Sequence, residues 1–294
     1  MAFKLKHLGK LFKDSFEAWI NIDPFRESAI IAYYAVFSIP GLLLLIVTIM
    51  GYFFGNETVN NDLIHEISKS MGASTAAQIS QILEKANESK ATLWGSIVGV
   101  IILLIGATGV FVELQKTLNV IWQVKTVAQK GILPILKARL FSFGLILAIA
   151  FLLTISLVIS TAIAAMSNWI KVDTSPFMIS VFSIINFSLS LAVISFLFAL
   201  MFKVLPDAEI KWKQVWLGSL ITGILFTIGK TALAYYFGKA NPASVYGAAG
   251  SVILILLWVS YSSIIMFFGA VFTYVYAKTY SGTVAPTKIA IAAK

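Results

Sequence analysis

The sequence has no cysteine, which excludes thiolate nucleophiles, cysteine-ligated zinc, iron–sulfur clusters and disulfide staples. Histidine is nearly as scarce, with only His7 and His65 in 294 residues. Charge is low throughout: Asp, Glu, Lys and Arg make up 12% of the chain, against about 25% in a soluble domain. Apolar residues make up 59% and the mean hydropathy is +0.90, so the chain cannot coat its own surface in water. The same numbers exclude intrinsic disorder, which needs low hydrophobicity and high charge. No cleavable signal peptide is expected, because the first long apolar run starts near Ala29 and lacks a convincing cleavage site.

A bilayer core about 30 Å thick needs roughly 20 apolar residues in a helix. Six such runs are present, near 30–54, 93–112, 140–165, 178–202, 215–237 and 246–276, and together they hold a single charged residue, Lys230. The ten-residue alternation of a membrane barrel is absent. The expected fold is therefore all-α: a polytopic membrane protein of six transmembrane helices, with interfacial amphipathic helices and a small helical outer loop. Residues 1–29 form a cytoplasmic interfacial helix, 30–280 the transmembrane domain with an outer cap at 55–92, and 281–294 a flexible tail.

Orientation follows from the basic residues, which stay on the cytoplasmic side of short loops. Sixteen of the 22 fall on the side that carries the N-terminal segment, the 113–139 and 203–214 loops and the tail. The opposite side holds five, Lys69, Lys85, Lys90, Lys171 and Lys239, so both termini are expected in the cytoplasm. The net charge of +9 is thus a topology signal, and no nucleic-acid partner is expected.

Residues 3–22 carry Leu5, Leu8, Phe12, Phe16 and Trp19 at helical spacing with lysines on other faces, the pattern of a helix lying on the inner leaflet. Residues 55–92 repeat apolar positions at helical spacing around Gly72 and Ala73, which predicts two short cap helices. Leu114, Leu118 and Ile121 share one face and extend the second span beyond the membrane, and Pro206 ends the fourth. The tail shows no periodicity.

An ionisable group inside a span is a functional hypothesis by default, since a central lysine costs ~2.5–3.5 kcal/mol to insert. Lys230 lies about 10 Å from the outer end of its span and Asn186, on the fourth span, about 12 Å from the same side, at 1.5 Å per residue. Joined by Ser156 and Ser160 of the third span, they would make a polar pocket suited to an anionic or hydrogen-bonding solute. The competing reading is that Lys230 only snorkels. Arg26 and Glu113 both fall at the inner interface and are expected near each other, as an ion pair or a gate. Gly106, Gly109, Gly247 and Gly250 cluster in spans two and six, where small residues permit close helix packing or local unwinding.

Enzyme chemistry is not expected. The two histidines lie on opposite sides of the membrane, so no metal site forms from them, and no cofactor is implied. No Gly-x-Ser-x-Gly elbow, Walker A loop or dinucleotide fingerprint is present.

Several segments, Ala32-Tyr-Tyr-Ala-Val-Phe-Ser-Ile-Pro40, Gly106-Ala-Thr-Gly-Val-Phe111, Leu118-Asn-Val-Ile-Trp122, Leu205-Pro-Asp207, Gly229-Lys230 and Tyr246-Gly-Ala-Ala-Gly-Ser251, resemble the YihY / virulence factor BrkB family of bacterial inner-membrane proteins. The likeness runs from about residue 15 to 280. It implies six spans in the bacterial cytoplasmic membrane and a role in the envelope, with solute or lipid movement suggested for members, some of which were once labelled ribonuclease BN. Near the end of the sixth span the family commonly reads Gly-Ala-Glu, where this chain has Gly269-Ala270-Val271.

The expected function is an inner-membrane transporter or exporter of a small polar or anionic solute through a bundle pocket. Lipid transport and a non-transporting envelope scaffold are the alternatives. The expected partners are the bilayer and a solute or lipid, and small-residue stripes would serve intramolecular packing and a homo-oligomer alike.

Overall fold

The computed structural model describes residues 8–38, 93–127, 176–240, 250–282, 284–287 and 289–293, with isolated positions between 61 and 84 that are helical. Ser156, Ser160, Gly247 and the third expected span lie outside the described residues, as do most of the outer cap and most of the first span. Among the described residues the protein is helical apart from two three-residue strands.

Helix α1, Leu8–Ile20, is followed by a turn and by α2, residues 24–38. The break is local chemistry. Asp23 adopts φ 53°, Pro24 takes the first helical position, where its missing N–H costs nothing, and the Asp23 carbonyl accepts the Glu27 N–H at 3.2 Å. Residues 24–29 therefore belong to the helix of the first span, whose expected start was residue 30. Helix α3, Leu93–Ile121, joins the second span and its predicted extension into one rod of 29 residues, about 43 Å long. Leu114, Leu118 and Ile121 are all buried, as their shared face predicts. Gln123, with φ 54°, closes this helix and leads into β1, Val124–Thr126.

Helix α4, Pro176–Val204, starts on a proline and stops before Leu205-Pro206. Helix α5, Trp212–Ala240, opens with half of a capping box, in which Gln214 Oε1 accepts the Lys211 N–H at 2.7 Å. Helix α6, Gly250–Ser281, ends at Gly282, whose φ of 82° is the left-handed cap that glycine takes without strain. Three stretches of these helices are long and apolar enough to cross a bilayer: Ser183–Val204, Trp212–Phe237 and Val252–Ser281. They match the fourth, fifth and sixth expected spans.

The chain forms two compact units. The first comprises Met1–Ala18, Leu118–Leu225 and Phe268–Lys294, and the second Trp19–Thr117 and Phe226–Phe267.

In the first unit α1 packs through Leu11, Phe12 and Ser15, with the Phe12 ring 5.1 Å from that of Phe272. Phe16 and Ile20 are exposed apolar residues of the same helix. Helices α5 and α6 meet here through a reciprocal pair. A methyl at Gly218 would overlap Thr273 Oγ1, and a methyl at Gly269 would overlap Thr222 Oγ1. Each threonine hydroxyl donates to the glycine carbonyl one turn earlier on its own helix, Thr222 to Gly218 at 2.6 Å and Thr273 to Gly269 at 2.7 Å. The hydroxyls are satisfied inside their own helices, so burying them against the neighbour costs little.

The tail is not the free segment expected. Ala290–Ala292 forms β2, antiparallel to β1, and Ala208 bridges to Pro286. Three residues are too few for periodicity to register. The pairing is carried by backbone groups such as the Ala293 N–H, which donates to the Gln123 carbonyl at 2.8 Å.

Candidate functional site

The second unit carries Lys230. It is half-buried on α5, and among the described residues its ammonium has no hydrogen-bond or ion-pair partner. The residue before it explains the local packing. Gly229 is buried and a methyl there would overlap the Tyr261 hydroxyl, so α6 sets a tyrosine directly against the α5 backbone. One turn earlier on α6 is Trp258, whose ring meets Phe226 edge-on at 5.8 Å and packs with Leu233 against buried Phe237 and Leu254. The Trp258 Nε1 is buried and has no acceptor among the described residues.

Asn186 belongs to the first unit, on α4. It is half-buried, and its side-chain oxygen is buried with no hydrogen-bond partner among the described residues. A buried amide oxygen without a donor calls for an explanation, and a ligand donor or water is the usual one.

Arg26 and Glu113 do not form the expected pair. Arg26 Nη2 contacts Glu27 Oε1 at 2.8 Å and Arg26 Nε lies 3.7 Å from Asp23, while Glu113 pairs with Lys116 at 2.7 Å. Each charge takes the partner that its own helix end supplies at no cost in chain closure. The guanidinium is held above its ordinary value, first by the hydrogen bond to Glu27 and then by the charges of Glu27 and Asp23. Thr117 links the two clusters. Its hydroxyl lies 2.9 Å from Glu27 Oε2 and 3.0 Å from the Glu113 carbonyl oxygen, and can donate to either. Glu27, absent from the sequence reading, is thus the carboxylate on which Arg26 and Thr117 converge.

Gly106 and Gly109 pack α3 against α2. A methyl at Gly106 would lie 3.0 Å from Ser38 Cβ, and one at Gly109 would overlap the Tyr34 ring. Gly250 is buried at the start of α6.

The most completely bonded polar group in the first unit is Asp207. Its carboxylate accepts from Asn119 Nδ2 at 2.8 Å and Thr126 Oγ1 at 2.7 Å, and its N–H donates to Asn119 Oδ1 at 2.8 Å. The Asp207 carbonyl accepts the Thr287 N–H at 3.0 Å. One buried residue thereby ties the end of α3, strand β1, the turn after α4 and the tail. The sequence showed Asp207 only as a charge that helps to end a helix. Among the described residues no group of His, Asp and Glu is arranged to hold a metal ion.

Exposure along α5 has the form of a lipid face. Trp212, Trp216, Leu220, Ile224 and Ile228 recur every four residues and are exposed, and Tyr235 and Tyr236 follow at the other end. Trp212 and Tyr235 are about 35 Å apart along the axis, the span of a bilayer core with an aromatic residue at each interface. Lys203, at the end of α4, donates to the Ile210 carbonyl at 2.7 Å and lies over the Trp212 ring at 5.4 Å. An apolar exterior and buried polar groups that bond within helices define a helical membrane protein.

The chain belongs to the virulence factor BrkB family, whose model matches residues 16–290. It is 26% identical over 269 residues to a UPF0761 membrane protein of Saccharophagus degradans, a match covering 90% of this chain and 59% of the relative. It is 28% identical to one from Teredinibacter turnerae, covering 84% and 55%, and 30% identical to one from Pasteurella multocida, covering 60% and 52%. The chain spans about half the length of these curated relatives. No solved structure matches it.

Proposed function

We propose that the protein is a transporter or exporter of a small polar or anionic solute in the bacterial inner membrane, with six spans and both termini cytoplasmic. The observation that carries this reading is Lys230. It is a half-buried ammonium on a candidate span, with no partner among the described residues. At a cost of ~2.5–3.5 kcal/mol for insertion, a lysine without a partner is best explained by a ligand that supplies one. Asn186, whose side-chain oxygen has no partner among the described residues, Ser156 and Ser160 are the further polar groups that the sequence reading assigns to the pathway. The reaction is passage and not catalysis, since the spans carry no carboxylate to serve as acid, base or proton relay.

The test is solute flux from liposomes containing only the purified protein, with Lys230→Met as the comparison. Protein-dependent flux that is lost in the correctly inserted variant is the expected result. Normal flux through Lys230→Met would remove the lysine from the mechanism, and no flux from the folded protein would favour lipid handling or a scaffold.

A further inference from the structure

Three residues on this stretch of α5 and α6, Lys230, Trp258 and Tyr261, each carry a hydrogen-bond donor. Lysine has three donors and no acceptor, and an indole has a donor only. Among the described residues the buried Trp258 Nε1 has no acceptor and the Tyr261 hydroxyl has no hydrogen-bond partner, although it sits against Gly229, the residue next to Lys230. Trp258 and Tyr261 are three residues apart and so share a face of α6. Phe226, which Trp258 meets edge-on, is four residues before Lys230 and so lies one turn below it on α5. No Asp or Glu occurs anywhere in α5 or α6 to neutralise the ammonium.

We propose that Lys230, Tyr261 and Trp258 form a site for an oxyanion between α5 and α6. This narrows the substrate class of the proposed transport pathway and rests on that reading. The ammonium provides the charge, while the phenol and the indole N–H supply two directed hydrogen bonds to carboxylate, phosphate or sulfate oxygens. A neutral solute would leave the ammonium uncompensated, so selectivity for anions follows from its charge. Gly229 serves the site indirectly, because a side chain there would push the Tyr261 hydroxyl away from its place against the α5 backbone.

Binding of acetate, sulfate and inorganic phosphate to the full chain in phosphatidylcholine nanodiscs, followed by titration calorimetry, tests the site. We expect binding of at least one probe, none in Lys230→Met, retention in Lys230→Arg, and about tenfold weaker binding in Tyr261→Phe and in Trp258→Phe, the loss of one hydrogen bond to a charged group. The two phenylalanine variants keep an aromatic ring in place, so their weakening cannot be assigned to lost fold. Competition by added phosphatidylglycerol would identify a lipid headgroup as the natural oxyanion, and absence of competition a free anion. No binding of any probe, or equal binding in Lys230→Met and Tyr261→Phe, would overturn the site. Flux of a neutral solute that survives in Lys230→Met would overturn it while leaving transport standing. Anion binding without flux would do the reverse.

Discussion

At the scale of single residues, the glycines of α5 and α6 are not equivalent to those elsewhere. Gly218 and Gly269 each face a threonine hydroxyl that is already bonded within its own helix, so an added methyl must displace that hydroxyl and break its bond. Gly218→Ala or Gly269→Ala should each destabilise the protein by about 1–3 kcal/mol, the usual cost of overpacking a fitted interface. Gly9, in α1, has nothing within 4 Å of where a Cβ would stand, and Gly9→Ala should stabilise by ~0.5–1 kcal/mol through helix propensity alone. Thermal unfolding in detergent measures both, and opposite signs are the expected outcome. The repeated spacing Gly218-x-x-x-Thr222 and Gly269-x-x-x-Thr273 was legible in the sequence, but its antiparallel partnership was not. Residue type gives the capacity for close approach, whereas which glycine meets which threonine depends on the register of two helices 50 residues apart. Lys230 stood out from sequence because charge in an apolar run is rare. Tyr261 and Trp258 did not, because aromatic residues in a span are ordinary until their surroundings are seen, an indole N–H with no acceptor among the described residues and a hydroxyl against Gly229.

At the scale of elements, hydrophobic runs predicted the helices α4, α5 and α6 closely, since twenty apolar residues have few other fates in a bilayer. Short, backbone-driven elements were hidden. Strand β2 has three residues and pairs with a segment more than 160 positions away, a contact that no local pattern encodes. Asp207 holds this region together through its side chain and its backbone. Asp207→Ala removes the carboxylate acceptor of the buried Asn119 amide and of the exposed Thr126 hydroxyl, a loss of about 1–3 kcal/mol that falls on Asn119. The cost should appear locally. Amide hydrogen exchange at residues 290–293 should become faster, by one to two orders of magnitude at about 1.4 kcal/mol per factor of ten, while exchange within α6 is unchanged. Unaltered protection of β2 in the variant would show that the strand pairing stands without the carboxylate.

At the scale of the whole molecule, topology is the property that the sequence states most strongly and that a solution measurement can read most directly. On the proposed topology basic residues are biased sixteen to five toward one side, and the candidate spans Ser183–Val204, Trp212–Phe237 and Val252–Ser281 would alternate in direction across the membrane. The lack of native cysteine makes the chain ready for single-cysteine labelling without prior substitution. Lys213, Lys239 and Lys278 are all exposed, the first at the start of α5, the second at its far end and the third near the end of α6. With both termini cytoplasmic, Lys239→Cys should react with a membrane-impermeant maleimide on intact spheroplasts, whereas Lys213→Cys and Lys278→Cys should react only after permeabilisation. Labelling of all three from outside would mean that α5 does not cross the bilayer. The mirror pattern, with Lys213→Cys and Lys278→Cys reactive and Lys239→Cys protected, would invert the orientation. Lys230, seven residues before Lys239's end of α5 at Phe237, would then open toward the cytoplasm, and the proposed oxyanion site would load from the opposite side. The side from which the proposed site loads is thus tied to the labelling result through the position of one lysine along one helix.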